Sequence, residues 1–196
     1  MSLHGSIHFQ KFRPLPAPWV VLAEKECAEP HIPTPFTLRR IPCAAHLRGQ
    51  ARAEVRAVLG EELQRAAGRP VRWKESAKGP EVLERIHTGR VGISISYATT
   101  EAWLALGWEG PIGIDAVANG PVPDWEAVAS VYLENNAQER LRESTHPALA
   151  FAWEWAGFEA RLKLWGMSLE EGAPPHPALV LAANFGEVTV AVALKG

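Results

Sequence analysis

Glu159 and Lys163 stand one helical turn apart inside FAWEWAGFEARLKLWG, a stretch that is otherwise almost entirely apolar. A carboxylate and an ammonium at that spacing share one helix edge, where they can form an i,i+4 ion pair or face a ligand together. Asp115 stands near the end of PIGIDA, where Gly113 and Asp115 point away from Ile112 and Ile114; it suits a turn or helix cap, or a carboxylate aimed into a pocket at a strand end. In GISISYA, Ser94, Ser96 and Tyr97 offer hydroxyls to a phosphate or form the solvent face of a half-buried strand. Arg48, Arg52 and Arg56 recur at i+4. They form either a stripe for bidentate phosphate binding or a solvated face balanced by Glu54, Glu61 and Glu62. Lys78-Gly79-Pro80 adds a lysine in a loop.

The elements that must position these residues follow from periodicity. WVVLA reads as a strand within a proline-rich start. Leu47, Ala51, Val55, Val58, Leu59 and Leu63 recur at helical spacing, predicting a helix over 44–67 that Gly68-Arg69-Pro70 ends. VRWKESAKGPEVL is strand and loop, and the residues from VGISISY to PIGIDAV form a run of strands. A helical stretch is expected from Asp124 to Glu143, and an aromatic helix over 148–165 whose stripe is Phe151, Trp155, Phe158, Leu162 and Trp165. Gly157 in its middle suggests a close approach or a kink. PALVLAANFGEVTVAVAL reads as a hairpin turning at Asn184-Phe185-Gly186. The order predicts an α+β fold of two similar halves, 1–108 and 109–196, with the site at their seam.

Composition narrows the classes. The chain has 196 residues, 47% hydrophobic and 21% charged, enough for one sizeable core. A net charge of -2 gives no reason to expect a nucleic-acid or membrane-surface binder. Eight tryptophans read first as core and second as a ligand wall. Two cysteines and seven scattered histidines have no zinc spacing, and a reducing cytoplasm is the expected location. No apolar run has the length of a membrane span, and the first residues lack a signal-peptide layout.

Taken in order, Lys78-Gly79-Pro80, Ser94-x-Ser96-Tyr97, Gly113-x-Asp115 and Trp155-x-x-x-Glu159-x-x-x-Lys163 resemble the motifs of the 4′-phosphopantetheinyl transferase superfamily. The closest type is the monomeric, two-half one that activates peptide and polyketide synthetases. That family carries a G-K-P-like loop, S-x-S-H-S, G-x-D-x-E and W-x-x-K-E-x-x-x-K. The resemblance implies a pseudo-twofold fold and a Mg²⁺-dependent transfer of the phosphopantetheine arm of coenzyme A to a serine of an acyl or peptidyl carrier protein. It implies Asp115 and Glu159 as metal ligands, Glu159 also as base, and Lys163 near the pyrophosphate. It implies Arg52, Lys78, Gly79, Pro80, Ser96 and Tyr97 around the coenzyme A phosphates. Val117, Phe158 and Tyr97 stand where the family has a second carboxylate, a lysine and a histidine. Those three departures imply an alternative, a relative that binds coenzyme A or a carrier without transfer.

Overall fold

Ile93 and Ile95 alternate with Ser94 and Ser96 along β5 (Gly92–Tyr97), and the two sets of side chains meet different neighbours. The isoleucines join the core beneath α1 (Arg48–Ala67), while the serines turn toward β7 (Ile112–Ala118). The computed structural model describes residues 20–21, 36–43, 47–77, 79–86, 89–169 and 178–195. Within them the fold is α+β, as the sequence predicts.

The remaining elements are β1 (Val20–Val21), β2 (Phe36–Pro42), β3 (Trp73–Ser76), β4 (Gly79–Val82) and β6 (Glu101–Gly107). After β7 come α2 (Trp125–Tyr132), α3 (Asn135–Glu143), α4 (Pro147–Trp165), β8 (Leu179–Phe185) and β9 (Val188–Leu194). One sheet runs β2-β6-β5, all antiparallel. A second runs β7-β9-β8, also antiparallel, with β1 added parallel to β8. In each antiparallel triplet, β2-β6-β5 and β7-β9-β8, the strand that comes last in the chain lies between the other two; α1 follows β2, and α2, α3 and α4 follow β7. β3 and β4 form a separate two-stranded ribbon.

Burial follows the alternation. Ala102, Leu104 and Leu106 of β6 pack with Ala51, Val55, Leu59 and Leu63 of α1. Trp103 and Ala105, on the opposite face of β6, meet Ile112, Ile114, Val190 and Val192 of the second sheet. That sheet's other face carries Ala182, Ala191 and Ala193 against Ala156, Ala160 and Leu164 of α4. Phe151, Phe158 and Leu162 on the far side of α4 pack with Ala129, Leu133, Ala137 and Leu141 of the α2–α3 region. The order of layers is thus α1, sheet, sheet, α4, then α2 and α3.

The aromatic stripe divides between two clusters. Phe151, Trp155, Phe158 and Leu162 do cluster, but against α2 and α3, whereas Trp165 belongs with the alanine face. Small residues seat α4 on the sheet. At Gly113 a Cβ would lie 1.9 Å from the Ala160 carbonyl oxygen and 2.6 Å from the Leu164 nitrogen, so only glycine permits this approach. Gly157 is buried in an uninterrupted helix, and the tight contact is with Gly113 across from α4.

Three boundaries also differ from expectation. α1 begins at Arg48, with Leu47 exposed at 49%, and residues 44–46 lie outside the described residues. The helix expected from Asp124 to Glu143 is two helices, because Leu133 leaves helical geometry with ψ 145° while burying its side chain. The Gln138 side chain then donates to the Leu133 carbonyl at 2.8 Å. The final hairpin pairs Phe185 with Val188, so its loop is Gly186-Glu187, with Gly186 supplying the positive φ of 72°. Of WVVLA, only Val20 and Val21 are described. No helix among the described residues is long and apolar enough to cross a membrane.

Candidate functional site

β5 and β7 run side by side as edges of different sheets, and serine side chains bridge them. Ser94 Oγ accepts from the Ile114 N–H at 3.0 Å, and Ser96 Oγ accepts from the Ala116 N–H at 3.1 Å. Ser96 also donates to Asp115 Oδ1 at 2.8 Å. From α4, the Lys163 ammonium donates to the same Asp115 oxygen at 2.6 Å and to Ser96 Oγ at 3.3 Å. A hydroxyl has one proton and two lone pairs, so Ser96 is fully engaged within the protein. Ser94 and Ser96 are both buried, which rules out the solvent-face reading. Ser96 holds Asp115 in place, and its one proton, given to Asp115, is not free for a phosphate oxygen.

Above this network lies a cavity of about 710 Å³ lined by Arg48, Arg52, Ser96, Tyr97, Asp115, Val117, Trp155 and Glu159. That size accommodates a small-molecule ligand. The elements explain the convergence. β7 carries Asp115 and Val117 on one face; α4 lies across that face and brings Trp155 and Glu159; α1 contributes two arginines from its first turns. The Glu159 carboxyl is pushed above the ordinary carboxylate range, chiefly by burial and then by the Asp115 charge; Lys163 and a hydrogen bond from Trp155 partly offset this. Two carboxylates held near each other, one with raised basicity, with arginines on the same wall, suit an anionic ligand and proton transfer.

Asp115, Glu159, Arg52, Ser96 and Tyr97 therefore share one cavity, and Lys163 reaches it through Asp115. Gly79 and Pro80 open β4 in the separate ribbon and are not on this wall, and Lys78 lies outside the described residues. Arg56 pairs with Glu75 of β3, so the arginine stripe divides between the cavity and the ribbon. Tyr97 sits beside the Arg56 guanidinium. Phe158 is 1% exposed, packed near Tyr132 and Trp155, and does not face the cavity. Trp155 both packs in the cluster with Phe151 and Phe158 and lines the cavity; its position four residues before Glu159 places it on the carboxylate's face.

Among the described residues, no group of three or more His, Cys, Asp or Glu side chains is gathered for a metal ion. Asp115 and Glu159 supply hard oxygen donors from two elements to one cavity. Mg²⁺ commonly takes one or two carboxylates and completes its shell with water and phosphate oxygens, so this donor pair fits it. No family model matches the sequence, and no curated protein matches it.

Proposed function

We propose that this chain transfers the 4′-phosphopantetheine group of coenzyme A to a serine of an acyl or peptidyl carrier protein, with Mg²⁺ as cofactor. The observation that carries the reading is the meeting of Asp115 and Glu159 in one cavity with Arg48 and Arg52, beside the Lys163 ammonium. The matching order of the antiparallel triplets β2-β6-β5 and β7-β9-β8 supports halves of 1–108 and 109–196 in a pseudo-twofold arrangement, with β1 of the first half crossing to pair with β8. In this reading one chain supplies both sides of the cleft, and the active unit is a monomer.

The chemistry is displacement at phosphorus. The acceptor serine oxygen bonds to the phosphorus bearing the pantetheine arm; the bond from that phosphorus to the diphosphate bridging oxygen breaks, and adenosine 3′,5′-bisphosphate leaves. Such a reaction needs placement and charge neutralisation more than covalent help. Arg48 and Arg52 grip phosphate oxygens bidentately. Glu159 takes the serine proton, a role its raised basicity favours. Ser96 keeps Asp115 oriented. Bound at Asp115 and Glu159, Mg²⁺ would neutralise diphosphate charge.

The test is to incubate the protein with coenzyme A, Mg²⁺ and a panel of apo carrier proteins and to weigh the carriers. Addition of the phosphopantetheine arm, lost in Asp115→Ala and Glu159→Ala, supports the reading. Coenzyme A bound with no carrier modified would favour the binding-only relative, which Val117 in the cavity wall and Lys163 on Asp115 make the second reading.

A further inference from the structure

Asp115 already has a cation. Its Oδ1 holds the Lys163 ammonium at 2.6 Å in an ion pair whose side chains are 31% and 9% exposed. Ser96 completes a triangle, donating to that oxygen while accepting from the same ammonium. Val117, two residues on along β7 and on the same cavity wall, offers no further carboxylate to a second cation. A divalent ion approaching Asp115 thus meets an oxygen already engaged by a positive charge, and among the described residues Glu159 is the other carboxylate on the wall.

We infer that Lys163 is an internal competitor for the metal position: the ammonium and a divalent cation exclude one another at Asp115, and metal binding releases Lys163 toward the cavity. Like charges held at one carboxylate repel strongly in a partly buried site, and the ammonium on its four-carbon stem is the mobile partner. Lys163 then sets how tightly the site takes metal and is a cation for substrate phosphate only once displaced. The inference rests on the transferase reading in its choice of a divalent ion, and it is tested without coenzyme A or carrier.

Mg²⁺ binding to the full chain is measured by titration calorimetry for the natural protein, Lys163→Met and Lys163→Gln. Both variants are expected to bind Mg²⁺ at least tenfold more tightly. Equal or weaker binding, or no binding in any of the three proteins, overturns the inference. A second measurement needs no variant. Labelling by an amine-reactive reagent, read residue by residue by mass spectrometry with Lys195 as internal reference, is expected to rise at least threefold at Lys163 when Mg²⁺ is added. Unchanged or reduced labelling overturns it. Tighter binding in the variants with no carrier ever modified would sink the transferase reading and leave this inference standing; modified carriers with unchanged metal affinity would do the reverse.

Discussion

Gly113→Ala tests whether α4 is seated on β7 as closely as the site requires. The added Cβ would lie 1.9 Å from the Ala160 carbonyl oxygen, 2.6 Å from the Leu164 nitrogen and 3.0 Å from the Ala160 carbonyl carbon. All three are backbone atoms, so no side chain can swing aside. Restoring an ordinary 3.4 Å contact means opening the helix–strand gap by about 1.5 Å, with loss of contact between Ala156, Ala160 and Leu164 and the sheet. Overpacking of this kind costs about 3 kcal/mol, the upper part of the usual range. For a domain of this size that lowers Tm by about 6–12 °C. The same movement carries Glu159 and Lys163 away from Asp115. In the proposed transferase reading, transfer by the variant that is still folded is expected to fall about a hundredfold, as small misplacements do. Urea unfolding and carrier-mass assays on one preparation read both effects. A stability change under about 1 kcal/mol with undiminished transfer would refute the close seating and the site geometry built on it. Gly60→Ala is the control. It lies inside α1 with nothing within 4 Å of the added carbon, so it should gain about 0.5–1 kcal/mol.

Three further outcomes follow from single contacts. Glu159 has a folded-state pKa above its ordinary value, so its contribution to stability is complete below the unfolded pKa and is lost as pH rises through the folded one. Urea unfolding at a series of pH values should therefore show Glu159→Gln gaining stability relative to the natural protein as pH climbs past the usual carboxylate range; a pH-independent difference would be contrary. Ser96→Ala strips partners from the buried Ala116 N–H and from Asp115, and should cost about 1–3 kcal/mol in denaturant unfolding. A loss within a few tenths would show that this bridge is dispensable. Glu154→Leu leaves Arg140 without its two hydrogen bonds, at 2.7 and 2.9 Å, and should cost about 3 kcal/mol, read as a lower urea midpoint; an unchanged midpoint would mean the pair is not formed.

The elements were legible where one face alone is buried. Ile93 and Ile95 against Ser94 and Ser96 announced a strand, and Ala51, Val55, Leu59 and Leu63 announced α1. What the pattern did not carry was the partner of each face. Serines alternating with isoleucines look solvent-facing until the edge of β7, supplied later in the chain, covers them. α4 is apolar on two sides, and a wheel weighted by side-chain size selects Phe151 and Phe158 over Ala156 and Ala160, although the alanines make the seat. The break at Leu133 escaped because local composition still favours a helix and only burial in the cluster with Leu141 and Phe151 explains the extended residue. At the site, spacing and alternation made Asp115, Glu159 and Lys163 candidates and only the motif resemblance gave them roles, while the engagement of Ser96 and the place of Arg48 needed the fold.

The three departures from the transferase motifs are not equivalent once each side chain is located. Phe158 packs with Tyr132 and Trp155 in the cluster below α4, so a lysine there would be buried among rings rather than presented to the cavity. Tyr97 remains on the wall, where Arg48 and Arg52 supply positive charge. Val117 is the departure that changes the site, because it lies on the face of β7 that carries Asp115 and lines the same cavity. Val117→Glu is thus expected to add a third oxygen donor facing Asp115 and Glu159. Without metal it should destabilise the fold by like-charge crowding; with Mg²⁺ it should recover, since a ligand at a hundred times its Kd stabilises by about 2.7 kcal/mol. The signature is a Mg²⁺-induced rise in Tm larger in Val117→Glu than in the natural protein, measured in the same buffer with and without Mg²⁺. An equal or smaller rise would mean that this strand position does not face the ion, and the metal reading of Asp115 and Glu159 would fail with it.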